Sequence, residues 1–226
     1  MSEEPKPRVV FNTTAEKAWA AAVAAQRING RYVKAGEYAV DAHNNPMPTN
    51  KEVMVELLTA PGNDLVTRED IEQGKQAREW FQGQLFNLLG GTLNEFMQKA
   101  AEVAVKEEIN LRVDSGMVAC LPATWQRATQ KERVRDIVNE SSSEHVGSLT
   151  EKITRMIEVL EVKPGVSFSG WLVTATDGHN ILRWCSSIQF TGGEAVRIQG
   201  KVKKHDHDRE TSKPVTWLNY VKKLTE

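Results

Sequence analysis

The residues best suited to chemistry lie between Ala195 and Val221. Ala195-Val-Arg-Ile-Gln-Gly-Lys-Val-Lys-Lys-His205 alternates, so Val196, Ile198, Gly200 and Val202 share one side and Arg197, Gln199, Lys201 and Lys203 the other. Period two predicts a strand with one apolar and one basic face. A charged loop, Asp206 to Lys213, leads to a second strand-like run, Val215–Val221. From Ala195 to Lys223 there are eight Lys/Arg and three Asp/Glu, a local charge of +5 in a chain of net charge −1. A basic sheet face with aromatics nearby suits a polyanion, and it is also a way of keeping a strand soluble.

Other constellations carry less. His205-Asp-His-Asp208 holds metal-ligand types at strand spacing, but a metal centre needs further convergent ligands, and His43, His145 and His179 are scattered over loops. His179 has no nucleophile or paired carboxylate for company. Neither phosphate-loop glycine motif occurs, and Gly90-Gly91 follows no strand. Glu69, Asp70, Glu107 and Glu108 read as helix ends and exposed faces. Cys120 and Cys185 are two lone thiols, which fits a reducing cytoplasm. These readings predict no catalytic residue, no metal ligand, no cofactor and no enzyme.

The elements that must position the basic strand divide at about residue 140. A tail to about residue 10 precedes a helix over Ala15–Ile28, capped by Thr13 or Thr14 and stopped at Asn29-Gly30. Residues 41–50 read as a loop or hairpin tip, and Lys51–Thr59 as a short helix closed by Pro61-Gly62-Asn63. Thr67 opens a helix with capping-box spacing to Asp70, followed by the apolar stripe Ile71, Trp80, Phe81, Leu85, Leu88 and Leu89. A helix from Thr92 to about Glu108 follows, then Val113–Leu121, Pro122 and a helix from about Ala123 to Val138. Arg127, Lys131 and Arg135 share one face of that last helix.

Residues 1–140 therefore read as an all-helical domain and 141–150 as a polar, Ser-rich linker. In 151–226 the period changes to two, with five strands at about 152–162, 168–176, 180–188, 194–205 and 214–222. Five short strands match an OB-like barrel, while a two-layer sandwich or an SH3-like barrel satisfies the pattern too. The predicted class is α+β. Residues 151–226 carry net +3 and residues 1–150 net −4, which puts any polyanion contact in the C-terminal third. No apolar run of membrane-spanning length and no secretory leader is evident, so a cytoplasmic protein is expected.

Several short motifs in the second half occur in a recognisable order. They are Ser143-Glu-His-Val-Gly147, Asp177-Gly-His-Asn180 followed by Trp184, and Gly200-Lys-Val-Lys-Lys-His205 with Thr216-Trp-Leu-Asn-Tyr-Val-Lys222. This resembles a C-terminal segment of bacteriophage proteins associated with replication and recombination genes, over about 80 residues. In that segment a Tyr and Gly follow the His; here the acidic Asp206–Glu210 loop does. The resemblance implies a non-enzymatic phage protein in the host cytoplasm. Its barrel would bind single-stranded DNA, or replication and recombination proteins, with the helical half serving self-association or docking. The expected contacts are Trp171 and Trp184 for stacking, with Arg183 beside Trp184, then Arg197, Lys201, Lys203 and Lys204 for the phosphates, and His205. A protein–protein adaptor is the alternative.

Overall fold

Helix boundaries follow the capping residues. In the computed structural model, which describes residues 11–60, 65–89, 94–165 and 169–224, Thr14 accepts from the Lys17 N–H and opens α1 (Ala15–Asn29). Gly30 closes it at φ 68, a left-handed conformation suited to glycine. Thr49 and Thr67 open α2 (Asn50–Thr59) and α3 (Arg68–Gly83) with capping boxes completed by Glu52 and Asp70. Next come α4 (Leu85–Leu89), α5 (Glu95–Ala104) and the long α6 (Ser115–Glu140). The expected tail, the stops at Pro61-Gly62-Asn63 and Gly90-Gly91, and Phe168 fall outside the described residues.

The chain divides into two compact units, Met1–Ala128 and Thr129–Glu226. The first unit is not all-helical. Strands β1 (Asn12–Thr14) and β2 (Glu108–Asn110) pair antiparallel, each too short to display a period. Pro122 does not divide two helices either. It lies inside α6, where the lost backbone hydrogen bond is offset by burial of Val118, Ala119, Leu121 and Ala123. The core of this unit packs Trp19, Met54, Phe81 and Ile109 against the alanines of α1. Ile71, expected in the apolar stripe, is instead 41% exposed.

The small side chains of α1 let α3 approach closely. A Cβ on Gly74 would stand 2.8 Å from the Ala20 nitrogen and 2.9 Å from the Trp19 carbonyl carbon. Gly74→Ala therefore forces the two helices apart. We expect it to lower the unfolding free energy by about 1–3 kcal/mol, measured as a fall in the urea midpoint.

In the second unit, five strands close a barrel: β3 (Lys152–Pro164), β4 (Trp171–Thr176), β5 (Ile181–Ser186), β6 (Ala195–His207) and β7 (Pro214–Lys223). The order is β3-β4-β5-β7-β6, with β6 pairing back to β3. Every pair is antiparallel except β5–β7. This closed order is consistent with an OB-like barrel and not with a two-layer sandwich. The β4–β5 turn forms at Asp177-Gly178, where the Asp177 carboxylate accepts from the His179 and Asn180 N–H groups. Ile157, Val159, Val173, Leu182, Trp184, Phe190, Ile198 and Leu218 fill the interior.

Residues 141–150 carry no helix or strand, but the barrel holds them. The Ser143 hydroxyl donates to the Pro214 carbonyl and accepts from the Ile181 N–H, and the Val146 N–H donates to the Thr216 hydroxyl. Val146 itself is buried in the barrel core.

Candidate nucleic-acid interface

The outer wall of β3, β6 and β7 carries the basic face. Lys152 lies opposite Lys201, Thr154 opposite Gln199, and Met156 opposite Arg197. On the other side of β6, Lys201 pairs with Asn219 and Gln199 with Lys222. Ile198, Gly200 and Val202 turn inward and are buried, so Arg197, Lys201 and Lys203 stand exposed, as do Lys152 and Lys222. Among the described residues these five cations form no salt bridge, whereas Lys204, Lys223 and Arg183 all do. Like charges directly across a strand pair, as at Lys152 and Lys201, disfavour the sheet by a few tenths to about 1 kcal/mol.

Two bulges shape this wall. Between the pairs Val202–Leu218 and Lys204–Trp217, Lys203 is an extra residue on β6. The strict alternation expected over Ala195–His205 therefore breaks, and both Lys203 and Lys204 are exposed. Between Lys201–Asn219 and Gln199–Lys222, the single Gly200 faces both Tyr220 and Val221. Tyr220 takes φ 53 there and is 81% exposed.

Arg183 and Lys204 belong to a different wall. A groove of about 520 Å³ lies along β4, β5 and β7, between residues 131–138 of α6 and the 208–211 loop, over Leu172 and Trp217. Among the described residues all of its cations but Arg209 are held by the chain's own acids. Arg183 pairs with Asp208 at 2.6 Å, Lys204 with Asp206 at 2.5 Å, Lys131 with Glu210 at 3.2 Å and Lys163 with Glu161 at 2.8 Å. Lys204 also lies 5.1 Å over the Trp217 ring. Burial pushes the Asp208 carboxyl up, but the Thr211 N–H and Arg183 outweigh it and bring the pKa down to about 2. The hydrogen bond and charge of Lys204 likewise hold Asp206 below the usual carboxylate range.

The two tryptophans and His205 are not on the basic face. Trp184 is wholly buried, its ring 5.2 Å from Phe190 in an edge-on contact. A small closed barrel needs large inward side chains, and Trp184 supplies one, so no base can reach it. Trp171 is half-buried and packs on the same core. His205 lies beside the buried Thr216, its ring stacked on His145 at 4.5 Å, with His207 at 5.3 Å from His145. These imidazoles meet ring to ring. Among the described residues no group of three or more His, Cys, Asp or Glu is arranged to hold a metal. No helix among them is long and apolar enough to cross a membrane.

Of the expected contacts, then, Arg197, Lys201 and Lys203 share one open wall. Compared with family models, curated proteins and solved structures, the chain has no significant match. Sequence reasoning missed Lys152, Lys222, Met156 and Tyr220. Their alternation within the flanking strands was available, but the register that brings them beside β6 was not.

Proposed function

We propose that the chain binds single-stranded nucleic acid, with single-stranded DNA the first candidate, along the outer wall of an OB-like barrel formed by β3, β6 and β7. The carrying observation is the set of five exposed cations that have no acidic partner among the described residues, Lys152, Arg197, Lys201, Lys203 and Lys222. Placing Lys152 opposite Lys201 works against the sheet, and a bound polyanion reverses the sign of that interaction. The resemblance of 143–222 to phage replication and recombination segments supports an accessory, non-enzymatic role in those processes.

Fluorescence anisotropy with a labelled oligonucleotide at several salt concentrations tests this. Each phosphate contact to a single strand contributes about −0.7 to the slope of log K against log salt. Three to five contacts thus give a slope of about −2 to −3.5. Absence of binding at low salt removes the proposal. The adaptor reading then gains, because the groove's apolar floor of Leu172 and Trp217 with paired charges around it suits a protein partner.

A further inference from the structure

We infer that Tyr220 is the base-stacking residue of this interface and makes it selective for unpaired bases; this rests on the reading above. Leu218 points into the barrel and Asn219 alternates outward. Regular alternation would turn Tyr220 in and Val221 out. The bulge opposite Gly200 exchanges them. Val221 now meets the position of a Gly200 Cβ at 3.0 Å, beside Leu218 at 3.3 Å, while Tyr220 is 81% exposed.

The exchange is made at a residue ill suited to it. At φ 53 Tyr220 occupies the left-handed region that glycine and asparagine favour. Among the described residues its ring joins no core cluster and its hydroxyl has no hydrogen-bond partner. Packing therefore gives no reason for an aromatic here. Strain of this kind at an exposed residue points to a use outside the fold. Register places Tyr220 between Lys201 and Lys222, two cations without acidic partners. Lysines along the wall hold a phosphate backbone, and one projecting ring offers a face to a base. In a duplex the bases are already stacked, and a base-free polyanion has none to offer.

The experiment compares the wild-type protein with Tyr220→Gly and Tyr220→Phe. The probes are a labelled oligothymidylate, a duplex of equal length and inorganic polyphosphate. Glycine removes the ring and relieves the backbone strain, so the urea midpoint should hold or rise. For the oligothymidylate, Tyr220→Gly should lose about 5- to 150-fold in affinity. Tyr220→Phe should retain wild-type affinity, and polyphosphate binding should be the same in all three proteins. Equal oligothymidylate affinity in wild type and Tyr220→Gly, or an equal loss on polyphosphate, overturns the stacking assignment and leaves the basic wall standing. A wild-type protein that binds neither polyanion overturns both.

Discussion

On the proposed reading, Lys201→Glu combined with Lys203→Glu should lower the affinity for a single-stranded oligonucleotide by roughly 10- to 1000-fold at low salt. Two phosphate contacts would be lost and two repulsions would replace them. The salt slope should flatten by about 1.4, twice the value per contact on a single strand. Both side chains are exposed and, among the described residues, without acidic partners, and Lys201→Glu turns the repulsion from Lys152 into an attraction, so the fold should hold or gain by about 1 kcal/mol. Anisotropy across a salt series, with a urea melt as control, measures both quantities. Lys204→Gln is the internal comparison: Asp206 already neutralises Lys204. Its loss should therefore be smaller than that of Lys201→Gln. A Lys204→Gln effect as large as Lys201→Gln would move the contact surface into the groove.

Asp208→Ala should destabilise the barrel unit by about 2–4 kcal/mol. The carboxylate accepts from the Glu210 N–H at 3.0 Å, the Thr211 N–H at 2.9 Å, the Thr211 hydroxyl at 3.0 Å and Arg183 at 2.6 Å. Its side chain is 11% exposed and that of Arg183 is 21%. Removing the acid leaves a mostly buried guanidinium without its counter-charge and frees the loop. The pH dependence has a definite sign. The folded pKa of about 2 lies below the ordinary 3.8. This contribution is therefore present above pH 3.8 and is lost as pH falls toward 2. From the shift it amounts to about 2 kcal/mol. Urea midpoints between pH 6 and 2 should converge for wild type and Asp208→Ala; a constant gap would show that the charge is not the cause.

Strand positions were legible because alternation and turn residues coincide. Asp177-Gly178 turns the β4–β5 hairpin as expected, and the basic run from Ala195 forms one long strand. Alternation names two faces without naming the inner one, which is why Trp184 could be assigned to a binding surface and proves to be core. Bulges leave no mark in a period of two. The extra residues Lys203 and Tyr220 were therefore invisible, and with them the changes of face they impose. Local charge was equally ambiguous. Lys204 and Lys223 count among the eight cations of that stretch beside Lys201, yet each is paired in the fold, Lys204 with Asp206 and Lys223 with Glu194. Pairing across the fold decides which cations stay available: Lys223 meets Glu194, 29 residues away, whereas Lys201 meets Lys152.

The segment ahead of the first barrel strand sets how the C-terminal unit can be cut out of the chain. Ser143 ties the starts of β5 and β7 together, Val146 plugs the interior, and Gln130 donates to the Leu160 carbonyl while Val134 and Val138 cover Ile181 and Val215. A truncation starting at the Ser-rich stretch would keep the Ser143 and Val146 seam but strip the barrel of the helical cover. An expression fragment meant to carry the basic wall alone has to keep the last turns of the long helix.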